Sequence, residues 1–218
     1  MRINKTSLTV IVILIVFYSY LGYREFFTDH QVRAINSQQE SATSTQKQQD
    51  IPAVKYGEMR AKIAIEEYNK NVFEIPKGCN CGPEIDKYTE SSPGQWCTMF
   101  ASWITKQAGS PVVNAKTGSW KITNSRVFTE YLKTYGTFYT KEQIIEDNIQ
   151  PEVGDFVIFY RGNFEDSLGH IDIVVSDSAS DGKADLIGGN YRDTVNFRKD
   201  FPYLGYYGFL GFGRPEKE

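Results

Sequence analysis

The order of two textures along the chain constrains its fold more than any other feature. Up to Gly136 the apolar residues recur at helical spacing. After Pro151 they fall into short runs rich in β-branched and aromatic residues, separated by turn residues. The segment "KYGEMRAKIAIEEYNKN" sets Tyr56, Met59, Ile63, Ala64 and Tyr68 at helical spacing. "GPEIDKYTE", after Cys81, reads as a short helix. From Trp96 the apolar positions 96, 99, 100, 103, 104 and 108 make one helical face, which Gly109 ends. "SRVFTEYLKTYG" repeats the pattern, with Ser125 as the expected N-cap and Gly136 as the stop. Strands are predicted in "DFVIFY", "HIDIVVSD", "KADLIGGN", "DTVNFR" and "YYGFLGFGRP". Helices first and strands second predict an α+β domain, with N-terminal helices packed on a C-terminal antiparallel β-sheet.

This domain is expected to occupy residues 55–218. Ahead of it, residues 1–27 comprise a short cytoplasmic stub and an uncharged run over about 7–23, preceded by Arg2 and Lys5. That run predicts a transmembrane signal anchor with the remainder exported. A cleaved signal peptide is the rival reading. It is disfavoured because Phe17, Tyr18, Tyr20 and Tyr23 stand where small residues would mark a cleavage site. Residues 28–54 are rich in Gln, Ser and Thr and too poor in large apolar residues to offset the entropy of ordering them, so they read as a flexible linker.

A net charge of -3, with both signs mixed along the chain, leaves no basic stripe for nucleic acid. Of two histidines, His30 falls in the linker, so His170 alone is available to chemistry in the domain. Cys97 follows Pro93 and Gly94 closely, which places it at the start of a helix. The partial positive charge of a helix N-terminus favours a thiolate, and its unpaired N–H groups suit an oxyanion. His170, beside Gly169 at the opening of a strand, is the candidate base. Asn190, ending "DLIGGN", is the candidate for fixing its tautomer. The structural alternatives are a core thiol at Cys97 and a turn-forming amide at Asn190. Cys79 and Cys81 are expected to be loop or core thiols; their C-x-C spacing makes a poor zinc knuckle, and no metal or other cofactor is expected.

"GCNCGPEIDKY…GQWCTMFASW", "VGDFVIF…LGHIDIVV" and "LIGGNYRDTV…GFGRP" together resemble the CHAP domain, a family of cysteine- and histidine-dependent amidohydrolases and peptidases related to papain and NlpC-type peptidases. The resemblance spans roughly residues 55–215. It implies a papain-like fold, with Cys97 as nucleophile, His170 as base and Asn190 near the third position. It also implies a substrate class, the amide bonds of peptidoglycan, cut as an endopeptidase or an N-acetylmuramoyl-L-alanine amidase. Many members carry a glutamate two residues before that asparagine, where this chain has Gly188. The family also often has a small residue where this chain has Asp172. On a strand, 170 and 172 share a face, so Asp172 is expected either to line the cleft and affect substrate choice or to face solvent. Trp96 is expected at the cleft edge or in the core. Expected partners are peptidoglycan or a cell-wall peptide and, through the anchor, the membrane. The alternatives are a degenerate module binding the wall or an envelope complex, and an amidase on a small peptide conjugate.

Overall fold

The computed structural model describes residues 53–161 and 169–217. The expected anchor, nearly all of the linker and His30 lie outside the described residues. Among the described residues, five helices precede or interrupt the sheet: α1 (Ala53–Asn69), α2 (Asp86–Thr89), α3 (Cys97–Gln107), α4 (Ser125–Tyr135) and α5 (Lys141–Glu146). Six strands follow the chain as β1 (Thr137–Thr140), β2 (Phe156–Tyr160), β3 (Gly169–Val174), β4 (Ala184–Tyr191), β5 (Thr194–Phe201) and β6 (Phe209–Arg214). They form one sheet in the order β1-β6-β2-β3-β4-β5, every pairing antiparallel. The architecture is α+β, as the order of textures predicts.

Alternation along the strands divides the core. Phe156, Ile158, Ile171, Ile173 and Ile187 face the helices, where they pack with Trp96, Phe100, Ile104 and Phe128. Val157, Phe159, Val174 and Leu186 point the other way, into a second cluster with Tyr203 and Phe212. His170 and Asp172 share the phase of this second set. Helix α3 is buried almost all round, including Thr98, Ser102 and Thr105. Its hydroxyls are satisfied locally: Ser102 Oγ donates to Thr98 O at 3.0 Å and Thr105 Oγ1 to Ser102 O at 2.7 Å.

One local reading is corrected, at the start of α4, and two features lie outside what the spacing predicts. Helix α1 forms as its spacing predicts, but of the marked positions only Ala64 is fully buried, while Tyr56, Met59 and Ile63 are half-buried. Gly57, Arg60, Ala61, Ala64 and Glu67 turn inward, and Tyr68 is exposed. The polar pair is tolerated inside because each member is fully partnered. Arg60 donates to Gly154 O at 2.9 Å and forks onto Glu216 at 2.7 and 3.0 Å. Glu67 accepts from Tyr88 and meets Lys70 and Lys87 at 2.6 and 2.8 Å. The N-cap of α4 is Asn124, whose Oδ1 accepts from Arg126 N at 2.8 Å; Ser125 is the first helical residue. Its small size matters, since a Cβ on Gly169 would lie 2.0 Å from Ser125 Oγ. Strand β1 and helix α5 carried no periodic signal; a capping box between Thr140 and Gln143 starts α5.

Candidate active site

Cys97 is the first residue of α3, and Trp96 ahead of it offers no side-chain cap to the helix. The N–H groups of the first turn therefore have no intrahelical carbonyl and no capping oxygen. Cys97 is 6% exposed and opens into a cavity of about 280 Å³ walled by Gln95, Thr98, Thr123, Ser125, Arg161 and Gly169. A second cavity of about 240 Å³ adjoins His170 and is walled by Tyr160, Tyr191, Arg198, Tyr206 and Tyr207, with Arg161 shared between the two. A larger cavity of about 500 Å³, around Lys133 and Phe138, has neither thiol nor imidazole in its wall.

The structure brings Cys97 and His170 together. Cys97 Sγ lies 3.7 Å from the carbonyl of Gly169, the residue before the histidine. Burial by itself raises a thiol, yet the interaction with His170, aided by Thr98 and Arg161, outweighs it and holds Cys97 below the ordinary thiol value. Burial pushes His170 below its ordinary value; Cys97 opposes that shift, while the charges of Arg161 and Arg198 add to it. His170 Nε2 stands 3.0 Å from Asp172 Oδ1. That leaves Nδ1, buried and without a hydrogen bond of ordinary geometry, as the ring atom open to the thiol.

Asn190 does not reach the histidine, contrary to expectation. Its backbone adopts φ +58, at an irregularity of the β4–β5 ladder. That turns the side chain away, so that its Nδ2 donates to Asn80 Oδ1 at 3.0 Å and to Gln95 Oε1 at 3.1 Å. Gln95 is thereby held beside Cys97 with its own amide N–H groups left for another acceptor. Asp172 neither lines the cleft nor faces solvent: it is 0% exposed, between His170 and an ion pair with Arg198. Trp96 is also excluded from the cleft edge. It is 0% exposed, stacks on Tyr88 at 5.7 Å and donates Nε1–H to Glu74 at 2.8 Å.

Cys79 and Cys81 are joined in a disulfide and are not free thiols. Asn80, at φ +53, folds the three residues so that the two Cα atoms come within 5.1 Å, inside the range a disulfide spans. The same turn aims Asn80 at Asn190, and its N–H donates to Glu74 Oε2 at 2.8 Å. Sequence reasoning missed Gln95, Asn80, Arg161 and Arg198. Gln95 had a signal, two positions before a thiol at a helix start; Asn80 and Arg198 had none, since their partners lie far along the chain.

No curated protein and no solved structure gives a significant match to the chain. The family model of the CHAP domain matches residues 87–190, a stretch that begins in α2 and ends at Asn190. It takes in α3, β2, β3 and most of β4, and with them Cys97 and His170. Over this stretch the chain matches the CHAP domain, a family of cysteine- and histidine-dependent amidohydrolases and peptidases.

Proposed function

We propose that the chain is an exported, membrane-tethered cysteine hydrolase that cleaves amide bonds of peptidoglycan through an acyl-enzyme. One observation carries the reading: a thiol at an uncapped helix start, held below its ordinary pKa by the domain's only histidine, opens into a cavity. Cys97 Sγ attacks the amide carbonyl carbon, and the carbonyl electrons move onto oxygen. In this reading the N–H groups of the first turn of α3 and the Gln95 amide receive that oxyanion. As the C–N bond breaks, His170 gives the leaving amine the proton it took from the thiol. It then takes a proton from water, which attacks the thioester and releases the carboxylate and the free thiol.

The Cys79–Cys81 disulfide fits an oxidising compartment and so supports export. Tethering rests on the uncharged run over about 7–23, behind Arg2 and Lys5. The test is digestion of purified peptidoglycan by the full chain in detergent, with Cys97→Ala and His170→Ala as controls and mass spectrometry of the soluble products. The expected result is release of muropeptide fragments with a new amine and carboxylate at one amide position, absent from both controls. Fragments that persist with Cys97→Ala, or none from the parent chain, would sink the reading.

A further inference from the structure

The proposed chemistry needs a group to hold the imidazole, and strand β4 supplies none: position 188 is glycine and Asn190 turns toward Asn80 and Gln95. We infer that Asp172 is the positioning acid of His170, supplied from the histidine's own strand, and that Gly188 is the opening that admits it. The inference rests on the reading of Cys97 and His170 as the reacting pair.

Three observations support it. First, strand alternation puts 170 and 172 on one face, and Asp172 Oδ1 lies 3.0 Å from His170 Nε2. A carboxylate there accepts from Nε2–H, which fixes the proton on Nε2 and leaves the Nδ1 lone pair for the thiol. Second, a Cβ on Gly188 would lie 1.8 Å from Asp172 Oδ1 and 3.1 Å from His170 Nε2. Gly188 is not among the residues with positive φ, so its backbone accepts any side chain. Space, not conformation, requires glycine at 188. An acid at 188 and the acid at 172 exclude each other.

Third, the gap at Gly188 lets a residue of β3 meet a residue of β5 across β4, although strands two apart in a sheet are separated by about 9.6 Å. Arg198 crosses that gap and pairs with the second oxygen of Asp172. The guanidinium is held over Phe201 at 3.8 Å and faces Tyr191 and Phe159 at 5.1 and 5.4 Å. Both carboxylate oxygens are thus occupied, one by the imidazole and one by the arginine. The charged groups acting on His170 are then Cys97, Asp172, Arg161 and Arg198, with the Tyr191 ring 5.9 Å from the imidazole. Arg198 balances Asp172, so the acid orients the ring without fixing a permanent proton on Nδ1.

The experiment compares the full chain with Asp172→Asn, Asp172→Ala and the double variant Asp172→Ala/Gly188→Asp, each checked for fold by circular dichroism. Two readouts are taken: the pH profile of Cys97 alkylation by iodoacetamide, and ¹⁵N shifts of His170. In the parent chain rapid alkylation depends on His170, and the shifts show a protonated Nε2 and a bare Nδ1. Asp172→Asn is expected to slow alkylation at neutral pH at least about tenfold, to move its profile to higher pH and to mix the tautomers. Moving the acid to 188 in the double variant is expected to recover most of what Asp172→Ala loses. Asn190→Ala is expected to leave the tautomer unchanged. Parent-like alkylation and shifts in Asp172→Asn would overturn the inference, as would a folded double variant no faster than Asp172→Ala. Slow, histidine-independent alkylation of the parent chain would instead overturn the reading beneath it.

Discussion

Two buried clusters on the same sheet pair arginine with aspartate, and they end differently. Near the C-terminus Arg214 meets Asp155 at 3.1 Å and Glu152 at 2.5 Å, while Asp155 also accepts from Glu152 N at 2.9 Å. Arg214 there meets both carboxylates, and the cluster closes on itself. At the other end of the sheet Arg198 meets Asp172, which meets His170, and there the sequence of partners stops at a bare Nδ1 facing a thiol. The same chemical pieces serve as a clasp where the arginine meets both carboxylates and, in the proposed chemistry, as a support for reactivity where an imidazole nitrogen is left open.

Exchanging the insults separates the two. Arg214→Met strands Asp155 in the interior and is expected to lower unfolding free energy by about 3–5 kcal/mol, measured by urea denaturation. Its Cys97 alkylation profile should match the parent's wherever the protein is folded. If instead the profile moves and stability does not, the division of labour fails. Asp155 gives the next largest effect. Burial, only partly offset by Arg214, raises its carboxyl to about 6 from 3.8. The folded state therefore holds the proton more tightly than the unfolded chain. That contribution is complete below about pH 4 and is lost as pH rises through about 6. Stability measured between pH 4 and 7 should include a falling component that Asp155→Asn removes. The smallest effect belongs to the neutral bridge on the other flank of the site. Asn190→Ala should lower stability by about 1 kcal/mol. It should slow peptidoglycan turnover by loosening Gln95, with the alkylation profile unmoved.

What could be read in advance followed local rules. The place of Cys97 at a helix start was legible because Pro93 and Gly94 bound a helix whose apolar spacing runs from 96 to 108. The common face of His170 and Asp172 was legible from the period of a strand. The role of Asp172 was not, because it depends on Gly188 and Arg198, which reach it only through sheet order. The inward face of helix α1 was legible only in part, for a related reason. Spacing identifies an apolar face, but Arg60 and Glu67 turned inward because partners 156 and 20 residues away, Glu216 and Lys87, came to meet them. Asn190 was misassigned by its position alone. A left-handed backbone at one residue redirects a side chain, and nothing in "GGN" distinguishes that outcome from a regular strand end.

The place of β6 in the sheet has a consequence in time. The last strand of the chain lies between β1 and β2, and β2 in turn flanks β3, which carries His170. Glu216, at the very end of the described chain, then locks onto Arg60 of the first helix. Cys97 is made and presented well before any of these partners exists. Until His170 is brought to it, only the helix end acts to lower its pKa. The groups that hold the Cys97 thiol low, His170 of β3 above all, therefore meet it only once the sheet has packed on α3.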